Sequence, residues 1–143
     1  MFFIAAIHKD SDSDYGVTIP DLPGCFSASS SVESAVGEGK EAIECHIEGL
    51  LQDGESLPKV RPVEEHKSNP EFADVYCWVM IDVDISKLGG KAKRVNITLP
   101  ERILSKIDAF TSNRSRFLTD AALEYMANHL PVSNKSPMSD SQK

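Results

Sequence analysis

An unbroken apolar run, "FFIAAI" at residues 2–7, opens the chain and with the following "HKD" predicts a buried strand. The polar "SDSD" supplies a turn, and "YGVTI" predicts a second strand. Two prolines and a glycine in "PDLPG" set the next turn, after which "CFSAS" returns as a third strand. Ser30 and Glu33 stand at capping-box spacing, and Val32, Val36, Gly39, Ile43, Ile47 and Leu50 recur with a helical period. A helix is therefore predicted, ending near "QDG", with Glu38, Glu41, Cys45, Glu48 and Gln52 on its outer side. Residues 55–74 hold three prolines and no sustained period, which predicts a connecting loop with one short helical turn near Pro70. "VYCWVMIDVDI" then predicts a long strand rich in β-branched and aromatic residues. The first module reads β-β-β-α-β, its helix packed on one face of a small sheet.

The pattern changes after residue 86. "SKLGGKAK" has paired glycines and lysines and reads as a flexible linker. From Arg94 to Leu99 polar and apolar positions alternate strictly, with Arg94, Asn96 and Thr98 on one face and Val95, Ile97 and Leu99 on the other. Pro100 suits the first position of a helix running to about Phe110, "TSNRS" is a turn, and Ser115 is a candidate N-cap for a helix from Arg116 to about Leu130. The chain therefore divides into residues 1–86, a linker at 87–91, a strand-helix-helix module at 92–130, and a polar tail at 131–143 that is expected to be disordered. The fold class is α+β.

Charge sharpens that division. Residues 1–86 hold 5 Lys+Arg against 17 Asp+Glu, and residues 87–143 hold 10 against 5, so a net of −7 conceals an acidic module followed by a basic one. A basic end suits phosphate and an acidic end suits a basic protein. The apolar runs fall far short of the roughly 18 residues that a membrane helix needs, and the N-terminus has no secretory pattern, so a cytoplasmic protein with no membrane contact is expected. Three cysteines with no C-x-x-C spacing argue against a disulfide framework and a zinc site.

A lone strand with two helices, some forty residues, is below the size that folds unaided, and its backbone donors and acceptors lack partners. Pairing with the same strand of a second chain satisfies both needs. Val95, Ile97 and Leu99 then share a core with Ile103, Ile107, Phe110, Leu118 and Met126, which makes a homodimer the expected state. "RVNITLPERI" and "SNRSRFLTDAALEYM" resemble the ribbon-helix-helix DNA-binding family. The resemblance implies that Arg94, Asn96 and Thr98 of both chains read base edges in operator double-stranded DNA. Guanine O6 and N7 suit Arg94, adenine N6 and N7 suit Asn96, and a thymine methyl suits Thr98. It also implies that Arg114, Ser115 and Arg116 anchor a DNA phosphate at the start of the second helix, with Asn113 in the turn where a glycine is often found.

The stretch "YGVTIPDLPGCFSASSSVESAVGEGKEAIE" resembles the N-terminal domain of HicB antitoxins, a partial RNase H-like fold, through Tyr15, Pro20, Asp21, Leu22, Pro23, Gly24, Cys25, Glu41 and Ala42. With the second module the likeness extends over nearly all of residues 2–130. It implies an antitoxin that inhibits HicA, a small basic mRNA-cleaving toxin, and represses its own operon. Tyr15, Asp21, Glu41 and Glu48 are the candidate toxin-binding residues, the two glutamates as outward acids that steer encounter. Whether dimers pair further into tetramers through the acidic modules stays open.

A metal-dependent nuclease is the competing chemistry, with Asp10, Asp14, Asp21, Asp82 and Asp84 as Mg²⁺ candidates. Against it, "DSDSD" reads as a solvated turn and Asp82 and Asp84 sit where the last strand leaves the sheet, so neither catalysis, nor a metal, nor a cofactor is expected. His8, His46, His66 and His129 lack partners at ligand spacing, and adjacent Cys45 and His46 diverge by about 100° on a helix. The alternative from another class is a stand-alone ribbon-helix-helix regulator whose first domain senses a ligand. A short basic reading frame beside the gene distinguishes the two.

Overall fold

The computed structural model describes residues 1–129; the predicted tail and the helix end at Leu130 lie outside the described residues. β1 (Phe2–Lys9), β2 (Tyr15–Thr18), β3 (Phe26–Ser29) and β4 (Cys77–Asp82) form one antiparallel sheet in the order β3-β2-β1-β4. Register pairs Ile7 with Val17 and Phe3 with Ile81, so these four side chains share the face that meets α1 (Val32–Gln52). The unbroken run in β1 is explained by cover on both sides: Phe3, Ala5 and Ile7 face α1, while Ile4 and Ala6, on the opposite face, are buried as well.

That second cover comes from the connection after α1. The sequence predicts a loop with one turn near Pro70. The turn is present, a 3₁₀ helix at Pro70–Phe72, but α2 (Val63–Lys67) precedes it. Five residues are too few to display a period. Phe72 and His66 bracket Trp78, with ring centroids 5.7 and 6.3 Å away, and Trp78 stands opposite Ala6 in the sheet. β4 is shorter than predicted, because the chain leaves the sheet after Asp82 and makes a 3₁₀ turn at Ile85–Lys87.

On α1, Ala35, Gly39, Ile43 and Ile47 are buried, and burying each isoleucine contributes about 1.5–3 kcal/mol. Gly39 is required by closeness: a Cβ there would stand 3.0 Å from Ile81 Cδ1 and 3.3 Å from Val17 Cγ1. The N-cap is Ser31, not Ser30, and its Oγ accepts from the Ser34 amide at 3.1 Å. The tight "PDLPG" turn places Gly24 at φ +87° and drives Leu22 into the core.

Residues 91–100 lie outside every helix and sheet, so the predicted strand Arg94–Leu99 does not form within one chain. A ladder needs a second strand, and among the described residues none pairs with this segment. Gly89 and Gly90, both at positive φ, turn the chain, and Leu88 packs on the core, so this part of the predicted linker is a built turn. α3 (Glu101–Phe110) and α4 (Arg114–His129) follow. Pro100 is the N-cap of α3, one place before the predicted position. At α4 the cap is Asn113, whose Oδ1 accepts from the Arg116 amide at 3.0 Å, rather than Ser115. α4 leans on the Ile85–Lys87 turn, with Leu123 against the main core. Among the described residues no helix is long and apolar enough to cross a membrane.

Candidate interaction surfaces

Around residues 91–99 nearly every side chain is exposed. Arg94, Asn96 and Thr98 reach solvent together, and so do Val95 and Ile97, at 67% and 61% exposure. A segment with both its polar and its apolar side chains open to solvent is incomplete as a folded element. Ile103 and Phe110 of α3 are also exposed, and only Ile107 of that helix is buried.

The start of α4 is crowded with intrachain ion pairs. Arg114 lies bidentate on Asp108, Nε and the second guanidinium nitrogen each donating at 2.8 Å. Hydrogen bonding from Arg114 holds the Asp108 carboxyl below the usual carboxylate range. Arg116 donates to Asp82 at the end of β4 and stands 3.8 Å from Asp120. The Met1 ammonium joins the same group, 2.8 Å from Asp120 and 3.3 Å from Asp82. Ser115 is exposed at the second helical position. The three predicted phosphate-binding residues thus lie together, but both arginines already hold carboxylates.

On the acidic body Tyr15 is half-buried, edge-on to the exposed Tyr76 at 5.6 Å, with Lys9 Nζ 5.4 Å above its ring. Glu41 and Glu48 are exposed on the outer side of α1, as the helical period predicts. Asp21 is different. Its side chain is 1% exposed, with Oδ2 3.1 Å from His66 Nε2, while the Arg61 amide donates to Oδ2 and Arg61 Nε to Oδ1, each at 3.2 Å. A direct toxin contact by Asp21 does not fit this placement: its carboxylate clasps the "PDLPG" turn to the connection over the sheet. His66, which has no partner at ligand spacing in the sequence, is the buried half of that clasp; 45 residues separate the two, and no local spacing announces the pair.

The other carboxylates considered as Mg²⁺ ligands do not gather. Asp10 and Asp14 are exposed in the first turn, Asp82 holds Arg116, and Asp84 accepts from Ser86, which lowers its carboxyl pKa. No group of three such residues converges among the described residues. Cys25, Cys45 and Cys77 are free thiols; burial, and then the charge of Cys45, push the Cys25 thiol up to about 11.

Comparison with known proteins covers both modules. A family model described as the HicB-like antitoxin of bacterial toxin-antitoxin systems matches residues 3–122. An uncharacterized 14.9 kDa protein from the rep-hol intergenic region of Haemophilus phage HP1 is 43% identical over 128 residues, covering 85% of this chain and 95% of that protein. The crystal structure of the Burkholderia pseudomallei antitoxin HicB superposes with a TM-score of 0.74 at 40% identity, over 88% of this chain and 98% of that one. A chain of the HicA3–HicB3 toxin-antitoxin complex shares the fold at a TM-score of 0.50 and 23% identity, over 59% of this chain and 99% of that one. With a family match that runs from β1 into α4, and a relative and a solved antitoxin that align along nearly their whole length, the chain belongs to the HicB-like antitoxins of bacterial toxin-antitoxin systems.

Proposed function

We propose that this antitoxin silences a small HicA-like ribonuclease with its acidic sheet-and-helix body, and that two copies pair through residues 92–130 to bind operator DNA and repress their own operon. The observation that carries the DNA half is the exposed segment at 91–99, which is part of no sheet. Its apolar side chains Val95 and Ile97 stand in water beside exposed Arg94, Asn96 and Thr98. An antiparallel copy of the same segment would pair the backbone, cover the apolar face, and present six polar side chains to a major groove. The toxin half is supported by the family's role and by the HicA3 partner of the related HicB3. Five glutamates on α1, Glu33, Glu38, Glu41, Glu44 and Glu48, pair with no base among the described residues, which favours encounter with a basic protein. Tyr15, Glu41 and Glu48 are proposed as the contact residues.

The test is binding of the full chain to the duplex upstream of its own gene, with mass measured by sedimentation. A dimer that shifts this duplex, with Asn96→Ala weakening it by about 2–6 kcal/mol through two lost bidentate contacts and sparing random DNA, supports the reading. A folded monomer at micromolar concentration, or unaltered operator binding by Asn96→Ala, overturns it.

A further inference from the structure

Resting on the reading that Arg116 meets DNA phosphate, we infer that Asp82 is an autoinhibitory latch: it holds the Arg116 guanidinium against the acidic body until phosphate displaces it. Asp82 ends β4 and belongs to the first module; Arg116 lies in the first turn of α4 and belongs to the second. Their pair links the acidic and basic halves of the chain through the very group that the DNA contact requires. Arg114 is held too, but by Asp108 of the neighbouring helix, so its pairing does not depend on the body.

The latch is built to open. Asp82 and Arg116 are 41% and 30% exposed and lie on the wall of an open groove of about 640 Å³ between the body and the C-terminal helices. Ion pairs this exposed exchange readily for another anion. When Arg116 leaves, the Met1 ammonium still stands within 3.3 Å of Asp82 and 2.8 Å of Asp120, so neither carboxylate loses all compensation. The same coupling runs in reverse: a basic partner group that captures Asp82 frees Arg116, and so strengthens DNA binding.

A double-mutant cycle on the full chain tests the latch. Wild type, Asp82→Asn, Arg116→Ala and the double variant are titrated with a short random-sequence duplex at several salt concentrations, with folding checked by thermal melts. Asp82→Asn should bind roughly two- to fivefold tighter per protomer, the weight of one exposed ion pair. In the Arg116→Ala background the same change should do nothing. An equal gain in both backgrounds shows general charge repulsion and overturns the latch, as does an Asp82→Asn protein that binds no tighter than wild type. If Arg116→Ala leaves affinity and salt slope unchanged, the phosphate reading itself fails and the inference falls with it. Binding that needs Arg116 but ignores Asp82 sinks the latch alone.

Discussion

Truncating Asp21 to alanine should cost about 3 kcal/mol of folding stability. Three donors converge on its carboxylate, and they lose it unequally. His66 is 3% exposed, between Trp78 and Phe72, so its Nε2 has no water to turn to; an unsatisfied buried group of this kind costs about 1–3 kcal/mol. The Arg61 amide adds about 1 kcal/mol as an ordinary lost hydrogen bond. The Arg61 guanidinium, half-exposed and also paired with Glu65, loses little. The total falls at the low end of the roughly 3–5 kcal/mol typical of a broken buried pair, because one partner reaches solvent. Urea denaturation followed by Trp78 fluorescence is the assay, since Trp78 is the chain's one tryptophan and stacks on His66. Asp21→Asn, which keeps one acceptor oxygen, should lose about half as much. In a His66→Phe background, where the orphaned nitrogen is gone, the loss should shrink by about 1–2 kcal/mol. An Asp21→Ala midpoint indistinguishable from wild type would refute the clasp.

Two glycines on α1 should respond in opposite ways. Gly37 faces open space, so Gly37→Ala should stabilise by about 1 kcal/mol through helix propensity, whereas Gly39→Val meets Ile81 and Val17 and should destabilise by about 1–3 kcal/mol in the same melts. Iodoacetamide at pH 8 should label exposed Cys45 in the native protein and spare Cys25, whose thiol is buried and raised to about 11; mass spectrometry should find Cys25 modified only in denaturant.

Long periodic elements were legible in the sequence. α1 carries its period over 21 residues, and its outer glutamates and inner isoleucines lie where that period puts them. Short elements and caps were not. Ser30 and Ser31 are equally able to cap, and Glu33 stands at capping-box spacing from Ser30 although Ser31 is the cap; at α4 Asn113 competes with Ser115 in the same way. Contacts distant in sequence left no trace in local spacing. Asp21 finds His66 and Arg61, and Arg116 finds Asp82, only because the sheet and the connection bring them together. The alternation at Arg94–Leu99 was plain, yet among the described residues no partner strand supplies the ladder it calls for.

Inhibition of the toxin itself tests the central claim most directly. A HicA-like toxin is sought in the neighbouring reading frames and purified, its cleavage of a labelled mRNA is followed, and the antitoxin chain is added in increasing amounts. The account predicts that cleavage stops near equimolar antitoxin, and that Asn96→Ala, altered only at a residue proposed to read DNA, inhibits as well as wild type. Undiminished cleavage in the presence of excess folded antitoxin would contradict it.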